Sequence, residues 1–532
     1  MWTKRALQEL IEERLAGHPL IVVANREPYI HKYVSGKIEC QPPASGMVSA
    51  LDPLLRASGG IWVAHGSGTA DRKTADRTGH IRVPPGDPKY TLRRIWLTKE
   101  QEDGYYYGLS NEGLWPLCHM VFTRPTFHPP HWERYREVNE IFADAVLEEA
   151  DDRPAFVFIQ DYHFGLLPRL LKQQNPSLII AQFWHIPWPA PLMFETFPWK
   201  EDLLDGLLGN DLLGFQLRAH CQNFLDTVDR NLESKVDYEL FEISRGGKAT
   251  VIRPFPIGID FEWHKQTATS PAVDDEMKRW RDLLGLTNGE KIGIGIDRID
   301  YTKGIPERLR AIDYFLEQHP NYQRRFIFVQ IGVPSRTHIQ QYKMLDDEID
   351  SLVERINWRW GSESWHPIVY IKQQHSQVQM MGLHRLADFC IVSSLDDGMN
   401  LVAKEFVASR LDESGVLILS RFTGTARELD QAMLVNPFAL DEVADAIHLA
   451  LVMPDEERRK RMQKMQAVVA DNNIYRWAGK ILSALLKFEL PESPRSRSEV
   501  LSSHNIRRGS RRIRPAPVPD EPEFRRLQGQ RL

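Results

Sequence analysis

Short runs of apolar, β-branched or aromatic residues recur along the chain: PLIVVANR, AFVFIQDYH, SLIIAQFWH, DLLGFQ, KIGIGIDR, RRFIFVQIG, HPIVYIKQ, ADFCIVSS and GVLILS. These runs do not alternate with polar residues, so neither face of such a strand can point to water. That is the pattern of parallel sheets covered on both sides. Between the runs, apolar positions return at helical spacing, as over 305–318 and 340–355. Strand and helix in repeated succession predict an α/β fold of doubly wound units. The alternation pauses around VIRPFPIGIDFEWHKQ, and TATSPAVDDEMKRW reads as a connecting loop before a new series begins at Lys291. The expected organisation is an N-terminal domain over 1–258 and a second over 259–490, whose final helices pack back. From about Pro491 the chain turns rich in Pro, Ser and Arg and poor in large apolar residues, which predicts a disordered basic tail over 491–532. Its arginines suit a solvated end or a docking arm for an acidic partner or membrane.

At 532 residues the chain exceeds what one core usually organises, in agreement with two domains and a tail. Lys and Arg total 67 against 72 Asp and Glu, a formal charge of −5, so nothing draws it generally to nucleic acid or an anionic membrane. An anionic ligand must be met by local basic groups. Cys40, Cys118, Cys221 and Cys390 are far apart with no C-x-x-C pair, which argues against a zinc site or a disulfide framework and fits a reducing cytoplasm. The N-terminus begins as a charged helix rather than a signal peptide, and no 18-residue apolar run follows, so a cytoplasmic, non-membrane protein is expected.

Open α/β sheets bind ligands beyond the carboxyl ends of their strands, and polar groups cluster there. Asn25 and Arg26 follow the first strand, Asp161 and His163 another, His185 the next, and Arg298 and Lys303 the strand KIGIGIDR. In GIDRIDYTKG two cations flank a turn whose Gly304 lets the backbone enter a helix near Pro306. Cations beside a helix N-terminus make an anion site, although pairing with Asp297 or Asp300 would also explain them. QIGVPSRTHIQQY places Ser335 and Arg336 at an expected helix start, where Arg could clamp a phosphate or lie on the surface. PASGMVSALDPLL offers Ser45 and Gly46 as a weak phosphate-loop signal. His185 precedes two stiffening prolines, and either a structural or a cleft role fits it. Asp161 and His163 are expected on one side of an extended stretch, with helix capping as the other use of Asp161. No nucleophile elbow, H-E-x-x-H pattern or glycosidase carboxylate pair is evident.

DYHF, HIPWP, DLLGFQ, PIGID, RIDYTKGIPERL, DGMNLVAKE and NPFALDEVADAI, in this order between about Ile21 and Lys487, resemble the trehalose-6-phosphate synthase family of retaining GT-B glycosyltransferases. The resemblance implies two Rossmann-like domains facing a cleft and transfer of glucose from UDP-glucose to glucose 6-phosphate. It implies no cofactor and no required metal. On the donor side it implies Arg298 and Lys303 at the diphosphate, Gly46 in the loop approaching it, and Glu405 at the ribose. Asp397, with the backbone of Gly398, Met399, Asn400 and Leu401, would hold the glucose. His185 would stand at the reacting centre, with Asp161 also in the catalytic set, and Arg26, Tyr106, Trp115, Asp161 and Arg336 would grip the acceptor. In the family's usual mechanism the departing diphosphate takes the acceptor's proton.

Two residues depart from the family: His65 stands where relatives have a tryptophan near the acceptor, and Asp396 where they have an arginine. NREPYIH is similar to the start of glucosylglycerol-phosphate synthases, so glycerol 3-phosphate is the alternative acceptor, and a silent sugar-phosphate sensor the alternative class. A homo-oligomer is possible, and a separate phosphatase is expected downstream.

Overall fold

The structure, a computed structural model, describes residues 2–15, 17–41, 46–287 and 289–488. The apolar runs form two sheets. In the ten-stranded sheet the central strands run parallel in the order Lys248–Pro254, Leu212–Phe215, Ile179–Trp184, Phe156–Gln160, Leu20–Arg26, Ile61–His65 and Tyr90–Ile95. Antiparallel strands complete both edges. Phe156–Gln160 and Ile179–Trp184 are buried along their whole length, as unalternating apolar runs require. The second sheet has six parallel strands in the order Ile368–Ile371, Phe326–Val333, Lys291–Arg298, Phe389–Val392, Val416–Ser420 and Met433–Val435.

Chain order reverses once in each sheet. In the first the reversal lies between Leu20–Arg26 and Phe156–Gln160, and in the second between Lys291–Arg298 and Phe389–Val392. Adjacent connections leave to opposite faces at such a point and open a crevice at the strand ends. Arg26 and Asp161 exit at one crevice, and Arg298, Lys303 and Asp397 at the other. Topology alone therefore brings together the groups that the strand-exit rule singled out.

Apolar side chains cover both faces of each sheet. The last described helix, Ile474–Leu485, joins the core of the first sheet, where the Trp477 ring meets Phe183 at 5.2 Å. Burying an indole of that size contributes about 4 kcal/mol by transferred area. Among the described residues no helix is long and apolar enough to cross a membrane.

Three local expectations need correction. TATSPAVDDEMKRW is not a loop: Phe261–Ala268 and Pro271–Leu283 are helices. Pro271 sits in the first turn, where no amide donor is missed, and Val273 and Trp280 supply a buried stripe. Ser335 and Arg336 do not begin a helix, because Arg336 has φ 51° and the helix starts at Gln340. Asp161 and His163 do not share an extended face, because Tyr162–Phe164 is a 3₁₀ turn. The predicted tail lies outside the described residues.

Candidate active site

At the first crevice, Asp161 is held at φ 72°, ψ 177°, a region disfavoured for any residue with a side chain. Such strain costs roughly 1–3 kcal/mol and persists only where surrounding contacts enforce it. Here the Asp161 amide donates to the Phe183 carbonyl at 2.7 Å. Its Oδ1 accepts from the amides of Tyr162 at 3.0 Å and His185 at 3.2 Å. The carboxylate thus caps the turn and also orients the backbone at His185. Burial pushes its pKa up to about 7, against the pull of those two amides and of Arg336 and Arg298.

The His185 Nε2 lies 3.1 Å from Gln160 Oε1, and the Gln160 amide nitrogen donates to the Ile159 carbonyl. Gln160 therefore offers the ring an acceptor, which assigns the imidazole proton to Nε2 and the lone pair to Nδ1. Burial lowers the pKa to about 3, so this histidine is neutral at ordinary pH. His163 is lowered to about 3 as well, by burial first and then by the nearby Arg336. Its ring stacks on Tyr106 at 5.6 Å with 11° between the planes, so it serves to hold Tyr106 in place.

The aromatic wall of the first half comes from a π-helix, Asp103–Leu114, continued by Trp115–Cys118. It faces groups of the second half. The Arg336 guanidinium lies 4.0 Å from the centre of the Trp115 ring and that of Arg298 5.6 Å away, both within cation–π range. The Tyr107 and His338 rings meet edge to face at 5.2 Å. Arg26 is exposed and, with Tyr106, His65 and Glu27, lines a cavity of about 340 Å³.

At the second crevice, Lys303 Nζ donates to Asp397 Oδ2 at 2.6 Å, and the same oxygen accepts from Ser394 Oγ and Asn400 Nδ2, each at 3.2 Å. Burial opposes the Asp397 charge, yet Lys303 and these donors outweigh it and hold its pKa below the ordinary value. Gly304, at φ 62°, makes the left-handed entry to the helix Ile305–Gln318 that the glycine suggested. Lys303 does not pair with Asp297 or Asp300. Asp297 is taken by Arg308 at 2.7 Å, and Asp300 accepts from Arg336 at 3.1 Å and from Thr302, with Arg298 3.9 Å away. Burial resists the Asp300 charge, but Arg336, Arg298 and Lys303 together hold it at about 2.

Asn400 caps the helix Leu401–Ser409 by accepting from the Ala403 amide at 3.1 Å, and Met399 beneath it is buried. Glu405 lies one turn in, and burial pushes its pKa up to about 7. The two halves touch at Gly398, where an added Cβ would fall 2.6 Å from the His185 carbonyl oxygen. Only glycine permits that approach. Asp396 does not turn towards these groups: its Oδ2 accepts the Met120 amide of the first half at 2.9 Å.

Most of the expected residues therefore converge on facing crevices: Asp161, His185 and Trp115 on one side, and Arg298, Lys303, Arg336, Asp397, Gly398 and Asn400 on the other. Arg26 and Tyr106 line the adjoining cavity. Gly46 opens the helix Gly46–Ser58, and Ser45 lies outside the described residues. Two participants were not anticipated. Asp300 figured only as a partner for its neighbours but ties Arg336 in place. His119, buried with Nδ1 2.8 Å from the Trp115 carbonyl, lies close enough to feel the charges of Asp300, Lys303 and Asp397. Nothing in the local sequence marks His119, since the charged groups it feels come from the other half.

Residues 18–487 match the model of glycosyltransferase family 20. The trehalose-6-phosphate synthase of Mycolicibacterium vanbaalenii is 38% identical over 487 residues, covering 90% of this chain and 98% of that one. Among solved structures, an E. coli protein bound with UDP-2-fluoro glucose is 31% identical and superposes with a TM-score of 0.79, covering 89% of this chain and all of that one. A UDP-forming α,α-trehalose-phosphate synthase from Burkholderia xenovorans, in complex with glucose-6-phosphate, is 29% identical, with a TM-score of 0.78 and coverage of 88% and 99%. With the facing sheets of a GT-B fold and a family match over nearly its whole described length, the chain belongs to glycosyltransferase family 20.

Proposed function

We propose that this chain is a retaining glucosyltransferase that moves glucose from UDP-glucose to glucose 6-phosphate, forming α,α-trehalose 6-phosphate and UDP. The observation that carries the reading is the meeting of the two crevices. Lys303 and Asp397 stand opposite His185 and Asp161, with the Gly398 backbone against the His185 carbonyl. Relatives in sequence and in fold are named trehalose-6-phosphate synthase and UDP-forming α,α-trehalose-phosphate synthase, which supports the reading.

Arg298 and Lys303 meet the donor diphosphate, and Glu405, whose raised pKa marks a carboxyl lacking compensating charge, accepts the ribose hydroxyls. Asp397 and the amides from Gly398 to Leu401 hold the donor glucose, and Gly46, at the start of its helix, gives the preceding loop room to approach the phosphates. The anomeric C–O bond breaks with its electron pair passing to the diphosphate. The acceptor hydroxyl attacks from the same face and gives its proton to a departing phosphate oxygen. Charge thus develops on the diphosphate, where Arg298 and Lys303 are placed to stabilise it. Neutral His185 and Asp161 orient the reacting sugar, and Arg26, Tyr106, Trp115 and Arg336 hold the acceptor in line.

Purified protein incubated with UDP-glucose and either glucose 6-phosphate or glycerol 3-phosphate, with UDP release followed and products identified, tests the reading. Trehalose 6-phosphate is the expected product. Release of UDP with glycerol 3-phosphate only, or binding of UDP-glucose with no turnover on either acceptor, overturns it.

A further inference from the structure

The 340 Å³ cavity beside Asn25 and Tyr106 holds a second cation, Lys32, besides Arg26. Lys32 lies on the strand Ile30–Val34, paired with Lys37–Gln41 in a hairpin, with Ile30 opposite Gln41. Side chains alternate along a strand, and here Ile30 and Lys32 face the cavity while His31, between them, is buried on the other side.

His31 is locked there by a network with almost no exposure: Glu27, Asp71 and Arg94. Arg94 donates through Nε to Glu27 Oε2 at 2.8 Å and through Nη2 to the Tyr29 carbonyl at 2.9 Å and His31 Nδ1 at 2.8 Å. It also pairs with Asp71 at 2.9 Å. Asp71 accepts the His31 amide at 2.8 Å, the His31 carbonyl accepts from Ala70 at 3.0 Å, and the Tyr33 amide donates to Thr69 Oγ1 at 3.0 Å. The backbone is therefore pinned at residues 29, 31 and 33, which aims the side chain of residue 32.

We propose that Lys32 is an acceptor-binding residue, a second cation for the phosphate of the acceptor, aimed into the cavity beside Arg26 by the buried Glu27–Asp71–Arg94–His31 network. This rests on the glucosyl-transfer reading above. Among the described residues neither Arg26 nor Lys32 makes an ion pair, so both charges are available to a dianion. Glu27 also borders the cavity, but burial and its hydrogen bond with Asp71 push its pKa up to about 8, so near neutral pH it carries a proton rather than a repelling charge. Burial lowers the pKa of His65, which keeps that ring neutral. Glu102 is the other carboxylate of the lining. Two point charges around one phosphate bind it more tightly than one, without touching the donor half.

Steady-state kinetics of Lys32→Gln and Lys32→Arg test the assignment. Lys32→Gln is expected to raise the KM for glucose 6-phosphate about tenfold, leave the KM for UDP-glucose unchanged, and leave transfer to unphosphorylated glucose unchanged. Lys32→Arg should restore the acceptor KM to within about threefold. An acceptor KM within twofold of wild type in Lys32→Gln, an equal change in the donor KM, or no recovery with Arg overturns the proposal.

The aiming role predicts non-additivity. Arg94→Lys, or the milder Thr69→Val where the first does not fold, should raise the acceptor KM in the wild-type background and add less than twofold to Lys32→Gln. Multiplying effects overturn it. If wild-type protein uses glycerol 3-phosphate instead, the functional reading fails while the same Lys32 comparison is made on that acceptor. If it uses neither, calorimetric titration of glucose 6-phosphate in the presence of UDP decides, with about tenfold weaker binding by Lys32→Gln expected and equal binding fatal.

Discussion

The two crevices solve the problem of holding charge ready for an anion in opposite ways. In the second half the cations are paired with carboxylates inside the crevice itself, Lys303 with Asp397 and Arg336 with Asp300. In the first half Arg26 and Lys32 face the cavity with no ion pair among the described residues, and the paired charges sit one layer behind, around Arg94. A donor diphosphate must compete with Asp397 for Lys303, so its binding is an exchange of partners. An acceptor phosphate meets two charges already free, Arg26 and Lys32, beside the Asp300-bound Arg336, and what it needs is that they point the right way. On one side the ionic pairs are part of the binding surface, and on the other they are its scaffold.

The comparison can be broken at the scaffold first. Arg94→Met leaves the buried Asp71 carboxylate without its cation, and Glu27 and His31 without their donor, and should destabilise the protein by about 3–5 kcal/mol, read as a shift of the urea midpoint. A loss near zero would mean that the network is ornamental. Lys303→Ala acts within the binding surface, and it should lower turnover about 100- to 1,000-fold with little change in the acceptor KM. An acceptor KM rising as steeply as turnover falls would erase the division between the halves.

A smaller effect should appear in pH dependence. Glu27 keeps its proton in the folded chain up to about pH 8, whereas an unfolded glutamate loses it near its ordinary value of 4.5. The folded state therefore binds more protons between those limits, and this group's contribution to stability falls as pH rises through that window. Glu27→Gln should flatten the decline in urea midpoints between about pH 5 and pH 8, and an unaltered slope would show that the Glu27–Asp71 pair is ionised throughout. Smallest is the bridge between halves: Asp396→Ala should cost about 1 kcal/mol and Met120→Ala almost nothing, by the same unfolding measurement.

Strand exits were legible because burial on both faces leaves an unalternating apolar run, and the crossover rule does the rest. Arg298, Lys303, Asp161 and His185 all follow such runs. Partners were not legible. Lys303 pairs with a residue 94 positions away, and Arg94 with groups 20 to 67 positions away, distances over which a local pattern carries no signal. The helix Pro271–Leu283 was missed because Ser, Pro and two aspartates imitate a loop, whereas only the spacing of Val273 and Trp280 betrays a buried stripe. Arg336 was assigned to a helix start because Pro334 suggested a turn there, and a left-handed arginine has no compositional mark.

The Asp396–Met120 bridge binds one side chain to another residue's backbone. Its mutational consequence is lopsided. Position 120, half exposed, accepts almost any residue without loss of the donor, because every residue but proline carries an amide hydrogen. At position 396 only an accepting side chain keeps the contact; a positive one sets donor against donor, and the bridge is lost. In variants of this chain the bridge therefore depends on the side chain at 396 and hardly at all on the one at 120, although the two residues are in direct contact.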